Sequence, residues 1–219
     1  MKVLMNSIYL ALILSLVGCA TQYPKMVNDD ESWLQELKAA EMDVNSKDHN
    51  MQTPLHIAAT KGKVNIARSL IQNGANVSAI DMNGFTPLHL AARNGHTDII
   101  DLLKEHGADI NSPANNKMTP ILWAAWQGER DAVLSLLNYG ADPNLVTNSG
   151  FSPLHRASQF GYLDVVKILV ENDAEINLKE NYGRTAFDYA RLQKHLKVEE
   201  YLLSKGAEGK PEKPGVKIF

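Results

Sequence analysis

The sequence has a single cysteine, Cys19, in 219 residues. A lone thiol excludes a disulfide within the chain and any zinc site built on cysteines. A dominant sign of charge is also missing. The 22 Lys and Arg nearly balance the 25 Asp and Glu, for a net charge of −3. The basic residues are scattered rather than clustered, so the charge balance gives no sign of nucleic acid as a partner. There is no nucleophile elbow, phosphate loop, HExxH pair or EF-hand loop. The chain therefore reads as a non-enzyme that needs no cofactor and no metal. Long apolar runs are absent too: Ile8 to Val17, preceded by Asn6 and Ser7, is too short for a transmembrane helix.

What the chain does have is a recurring word. TPLHIAA begins at Thr53, TPLHLAA at Thr86, TPILWAA at Thr119, SPLHRAS at Ser152 and TAFDYAR at Thr185, each start 33 residues after the last. A period of this length, held without insertion, marks a stacked-repeat architecture rather than an ordinary globular core. Each part of the word has a physical role. Thr86 caps a helix through its hydroxyl, and Pro87 takes the first helical position, where a missing N–H costs nothing. Leu88, Ala91 and Ala92 form a buried stripe, and the alanines admit a neighbouring helix closely. Gly95 stops the first helix, as do Gly62, Gly128 and Gly161 in their copies. A second helix through Ile99, Ile100 and Leu103 ends at Gly107, with Gly74 and Gly140 as its counterparts. Polar loops such as Asp81-Met82-Asn83-Gly84 supply tight turns between the helix pairs.

Period and word together resemble the ankyrin repeat family, over roughly residues 31 to 209. The resemblance implies an all-α ankyrin-repeat solenoid of helix-turn-helix units with short finger loops. Its expected parts are a partial N-terminal cap at 31–47, repeats at 48–80, 81–113, 114–146 and 147–179, and a C-terminal cap at 180–209. Trp33, Leu34, Leu37 and Ala40 form the capping helix, with Trp33 over the open end of the core. The last copy departs from pattern: Ala186-Phe187-Asp188 replaces Pro-Leu-His, and Lys194 replaces the helix-ending glycine. Residues 210–219 read as a disordered tail.

The N-terminus begins with Lys2, a short apolar core and small residues, which reads as a secretory signal over 1–18. Leu16-Val17-Gly18-Cys19 resembles the bacterial lipobox. It implies cleavage before Cys19 and acylation of that residue, with 19–30 as a lipidated tether from the membrane. The alternative is a non-lipidated signal cut after Ala20. By resemblance to bacterial lipoproteins, Ala20 after the cysteine favours an outer-membrane location facing the periplasm.

His56, His89 and His155 recur at one place in the word. Helices in contact sit about 8–10 Å apart, too far for equivalent histidines to share one ion at bonds of about 2 Å. They are expected to hydrogen-bond neighbouring backbone and tie repeats together. Ser152 with His155 is the capping word of repeat four, not a catalytic pair.

In ankyrin proteins partners usually lie along the finger tips and the exposed side of the first helices. Carried over by position, that side holds Ile57, Thr60 and Lys61, then Leu90, Arg93 and Asn94, then Trp123, Trp126 and Gln127, then Arg156, Gln159 and Phe160. The expected protein-binding set is Phe85, Arg93, Met118, Trp123, Trp126, Phe151, Arg156 and Phe160, because large aromatics beside arginines match interface hot spots. Burial as repeat packing is the competing reading for Trp123 and Phe151. It is weaker for Trp126 and Phe160, whose counterparts in the other repeats are polar. The function implied is a membrane-anchored, monomeric interaction protein with a protein partner, either an adaptor or an immunity protein that blocks a toxin or envelope enzyme.

Overall fold

The structure, a computed structural model, describes residues 43–208. Cys19, the signal and tether, the Trp33 helix and the tail at 210–219 lie outside the described residues. Among the described residues there are ten α-helices in five pairs and no strand, so the all-α class is as expected. The first helices of the pairs are α1 (Pro54–Lys61), α3 (Pro87–Arg93), α5 (Pro120–Gln127), α7 (Pro153–Phe160) and α9 (Ala186–Leu192). The second helices are α2 (Val64–Gln72), α4 (Thr97–Glu105), α6 (Arg130–Asn138), α8 (Leu163–Glu171) and α10 (Leu196–Ser204).

The first helices begin where the word places the cap. Thr53, Thr86, Thr119, Ser152 and Thr185 are all extended N-cap residues, four of them followed by proline. In three copies the histidine closes a capping box: the backbone N–H of Thr53, Thr86 and Ser152 donates to Nδ1 of His56, His89 and His155 at 3.1, 3.1 and 3.2 Å. In the last copy Asp188 does the same work, its Oδ2 accepting from Thr185 N at 3.0 Å.

The glycines after the first helices meet two demands at once. Gly62 and Gly161 are left-handed, with φ of 69° and 76°. A Cβ on Gly62 would also lie 2.8 Å from the His96 ring, and one on Gly161 2.5 Å from the His195 ring. Each ring crosses its glycine to bond the preceding repeat, His96 Nε2 with Thr60 O at 3.2 Å and His195 Nε2 with Gln159 O at 3.1 Å. Lys194, expected as a departure, keeps the left-handed turn at φ 62° despite its side chain.

The chain divides into two compact units, one up to Asp109 and one from Ile110. In the first unit α1 packs on α3 and α2 on α4, around Leu55, Ile66, Leu70, Leu88, Ile100 and Leu103, all buried. In the second, α5, α7 and α9 form one layer and α6, α8 and α10 another, around Ile121, Leu136, Leu154, Val166 and Leu169. Ala124, Ala125 and Ala157 are fully buried between helices of the first layer or against the second.

An asparagine ladder fastens successive turns. Asn144 Nδ2 donates to Asp173 O at 3.0 Å while its Oδ1 accepts from Glu175 N at 2.8 Å. Asn177 repeats this with Gly206 O at 3.1 Å and Glu208 N at 2.7 Å. In the first unit Asn45 bonds Gly74 O at 3.0 Å and Asn76 N at 2.7 Å. Such bonds link residues about thirty apart with both amide atoms used, so each fixes one repeat's turn to the next.

Candidate protein-binding surface

The second unit gathers most of the expected binding residues. Trp123 and Trp126, one turn apart on α5, stack with ring centroids 5.0 Å apart and planes 11° from parallel. Arg156, on α7, lays its guanidinium over both Trp126, at 4.7 Å, and Phe151, at 3.9 Å. Phe151 in turn meets Tyr189 of α9 at 5.3 Å. The result is a continuous ladder of ring, cation and ring running across three repeats. Trp123, Trp126, Phe151 and Arg156 are all half-buried: each packs on its neighbours and each keeps surface in solvent. Packing and exposure therefore coexist at Trp123 and Phe151.

Arg156 is held, yet its hydrogen bonds are incomplete. Nη1 donates to Gln159 Oε1 at 2.9 Å, and the buried Nε has no acceptor. Partial burial lowers its pKa from the usual guanidinium value, but the group stays charged across the working pH range. A planar cation between two aromatic faces is attracted by both rings and keeps its orientation without an acid partner.

Phe160 is 43% exposed and stacks on Tyr162 at 6.0 Å. Tyr162 lies against Gly128, where a Cβ would come within 2.9 Å of its ring. Phe160 therefore stands on a small aromatic step of its own. In the first unit Arg93 is exposed, and Phe85 is half-buried against His89 with centroids 5.7 Å apart.

Two positions need correction. Met118 is only 6% exposed and Leu90 only 5%, so neither offers a surface. Leu90 belongs to the same repeat column as Ile57, Trp123, Arg156 and Tyr189. Exposure varies along that column: Leu90 and Tyr189 are buried, whereas Ile57, Trp123 and Arg156 are half-buried. Tyr189 was missed, and its membership of the column was the available signal.

The histidines behave as ties. With Nδ1 of His56 and His155 accepting a backbone N–H, the proton sits on Nε2, which donates to Phe85 O at 2.9 Å and to Arg184 O at 3.1 Å respectively. Burial lowers both pKa values below 6.5, since a second proton would have to be accommodated without water. Repeat three has Leu122 at this place, and the buried Thr119 Oγ1 has no hydrogen-bond partner. Among the described residues no group of His, Cys, Asp and Glu could hold a metal, and no helix is long and apolar enough to cross a membrane.

The arrangement offers a rigid, part-aromatic face with an anchored cation, which suits recognition of another macromolecule rather than bond chemistry. A comparison with curated proteins found no match. The family model for ankyrin repeats, in three copies, matches residues 25–114, 83–145 and 121–212, and the chain belongs to the ankyrin-repeat family, whose repeats act as modules of protein-protein interaction.

Proposed function

We propose that this chain is a lipid-anchored interaction protein of the bacterial cell envelope, facing the periplasm, which holds a protein partner against the first-helix layer of residues 110–208. The observation that carries the reading is the half-exposed ladder Trp123–Trp126–Arg156–Phe151. Aromatic rings and arginines recur among the residues that concentrate binding energy, and an arginine already held between two rings has less freedom left to lose than a free one. The anchor rests on Leu16-Val17-Gly18-Cys19, and Ala20 supports the outer membrane as its destination. Several acyl chains on one cysteine would keep the protein on the membrane durably.

Two measurements test this. Cys19→Ser should lose acylation and move from the membrane fraction to the soluble periplasm; unchanged processing and membrane retention would refute the anchor. Cross-linking capture from envelope extract should recover a partner with the parent chain and lose it with Trp126→Ala. Its identity separates an adaptor, which recovers a host envelope protein, from an inhibitor, which recovers a toxin.

A further inference from the structure

The net charge of −3 hides a segregation of charge within the second unit. On its fingers and first helices, residues 114–127, 147–160 and 180–193, the charged side chains are Lys117, Arg156, Arg184, Arg191, Glu180 and Asp188. Both carboxylates are buried and occupied. Glu180 accepts from the backbone N–H of Tyr182 at 2.8 Å and of Arg184 at 3.0 Å. Asp188 accepts from Thr185 N at 3.0 Å and pairs with Arg191 at 3.3 Å. No exposed carboxylate remains on this layer, whereas Lys117 and Arg184 are exposed and Arg156 is half-exposed. The second helices and their turns, residues 128–146, 161–179 and 194–208, carry the opposite bias, ten acidic against six basic side chains. The layer that bears the aromatic ladder is thus the cationic side of an acidic protein.

Arg156 gives that charge a point of action. It has no carboxylate partner among the described residues, it is half-exposed, and the two rings fix its plane. We infer that the partner of this surface is a polypeptide segment rich in Asp and Glu, which sets one carboxylate on the Arg156 guanidinium and an apolar side chain against Trp126. This rests on the proposed interaction surface and specifies its partner. A guanidinium already oriented and partly dehydrated gains more from a carboxylate than a free surface lysine would. Like charges on a wrong partner would be repelled by Lys117 and Arg184, so the same layer also supplies selectivity. A nucleic-acid strand fits less well, because tracking successive phosphates needs a row of cations along the groove. This layer offers three such groups around one ring ladder.

Selection of a random peptide display library on the immobilised full chain tests the inference. The selected sequences should be enriched in Asp and Glu. Affinity of the best peptide should fall roughly tenfold or more with Arg156→Gln and fall with added salt. Arg156→Lys should keep the fold and fail to restore binding, while Glu199→Gln, on α10, should bind like the parent. Thermal melts of the variants separate lost binding from lost folding. Enrichment without acidic residues would overturn the inference. If such peptides still needed Trp126, the surface would stand and only its acidic partner would fall; if neither Trp126→Ala nor Arg156→Gln mattered, the surface would fall with it. An empty selection, or tighter binding of an oligothymidylate probe than of the acidic peptides, would overturn it as well.

Discussion

Residues 114–146 and 147–179 are consecutive repeats of one plan, and they resolve the same local problems differently. Repeat four caps its finger with Thr147, whose Oγ1 accepts from Phe151 N at 3.1 Å, turns through Gly150 and closes its capping box with His155. Repeat three has Ala114, Lys117 and Leu122 at those places. Its finger forms a 3-10 turn with Asn116 and Lys117 both left-handed, at φ 65° and 59°, and its Thr119 hydroxyl goes without a partner. Yet repeat three carries the tryptophan pair. Of the two, the repeat that departs further from the stabilising plan is the one that presents the tryptophan pair, as expected where selection for a surface competes with selection for stability.

The comparison can be broken by making repeat four resemble repeat three. His155→Leu removes the acceptor for Ser152 N–H and the donor to Arg184 O. Ser152 N–H would be left buried and unpaired, while Arg184 O keeps its bond from Glu180 N at 3.0 Å; the change should cost about 2 kcal/mol, read as a lowered denaturation midpoint with unchanged slope. A loss near zero would mean that the histidine tie is replaceable by packing.

Acid should act on the same ties. His56 and His155 have folded-state pKa values below 6.5, so the unfolded chain takes up their protons first as pH falls. Their contribution is complete above pH 6.5 and is lost on acidification below it, by up to about 1.4 kcal/mol per pH unit for each. Thermal melts across this range should show the fall, and His155→Leu should flatten it.

The comparison is sharpened by repairing repeat three. Leu122→His would give Thr119 a partner and should stabilise by about 1 kcal/mol; equilibrium denaturation measures it. Lys117→Gly should add about 0.5 kcal/mol, because relief of the left-handed penalty exceeds the extra freedom of glycine in the unfolded chain. A drop in stability from Lys117→Gly would show that this side chain holds the finger.

What the sequence made legible follows from the range of each interaction. The word at Thr86–Ala92 contains its own cap, stripe and stop, so helix starts and the histidine ties could be read locally. The asparagine ladder could not: Asn144 meets Asp173 and Glu175, about a repeat away, and no local pattern announces it. The ring of His195 on Gly161 was hidden for the same reason. Met118 and Leu90 were misplaced because exposure at a repeat position depends on the neighbours packed against it, not on register alone. Arg156 was expected beside the aromatics; its place between Trp126 and Phe151 needed coordinates.

The central claim, that the tryptophan pair serves a partner rather than the fold, is tested most directly by Trp126→Ala, with a thermal melt and the affinity for the captured partner measured on the same preparation. Trp126 is half-exposed, and its repeat counterparts Thr60, Arg93 and Gln159 show that packing does not require a large ring there. The account predicts a loss of folding stability of about 1 kcal/mol or less and a weakening of binding of roughly thirtyfold. Undiminished binding with a clearly lowered melt would contradict it and assign Trp126 to the core.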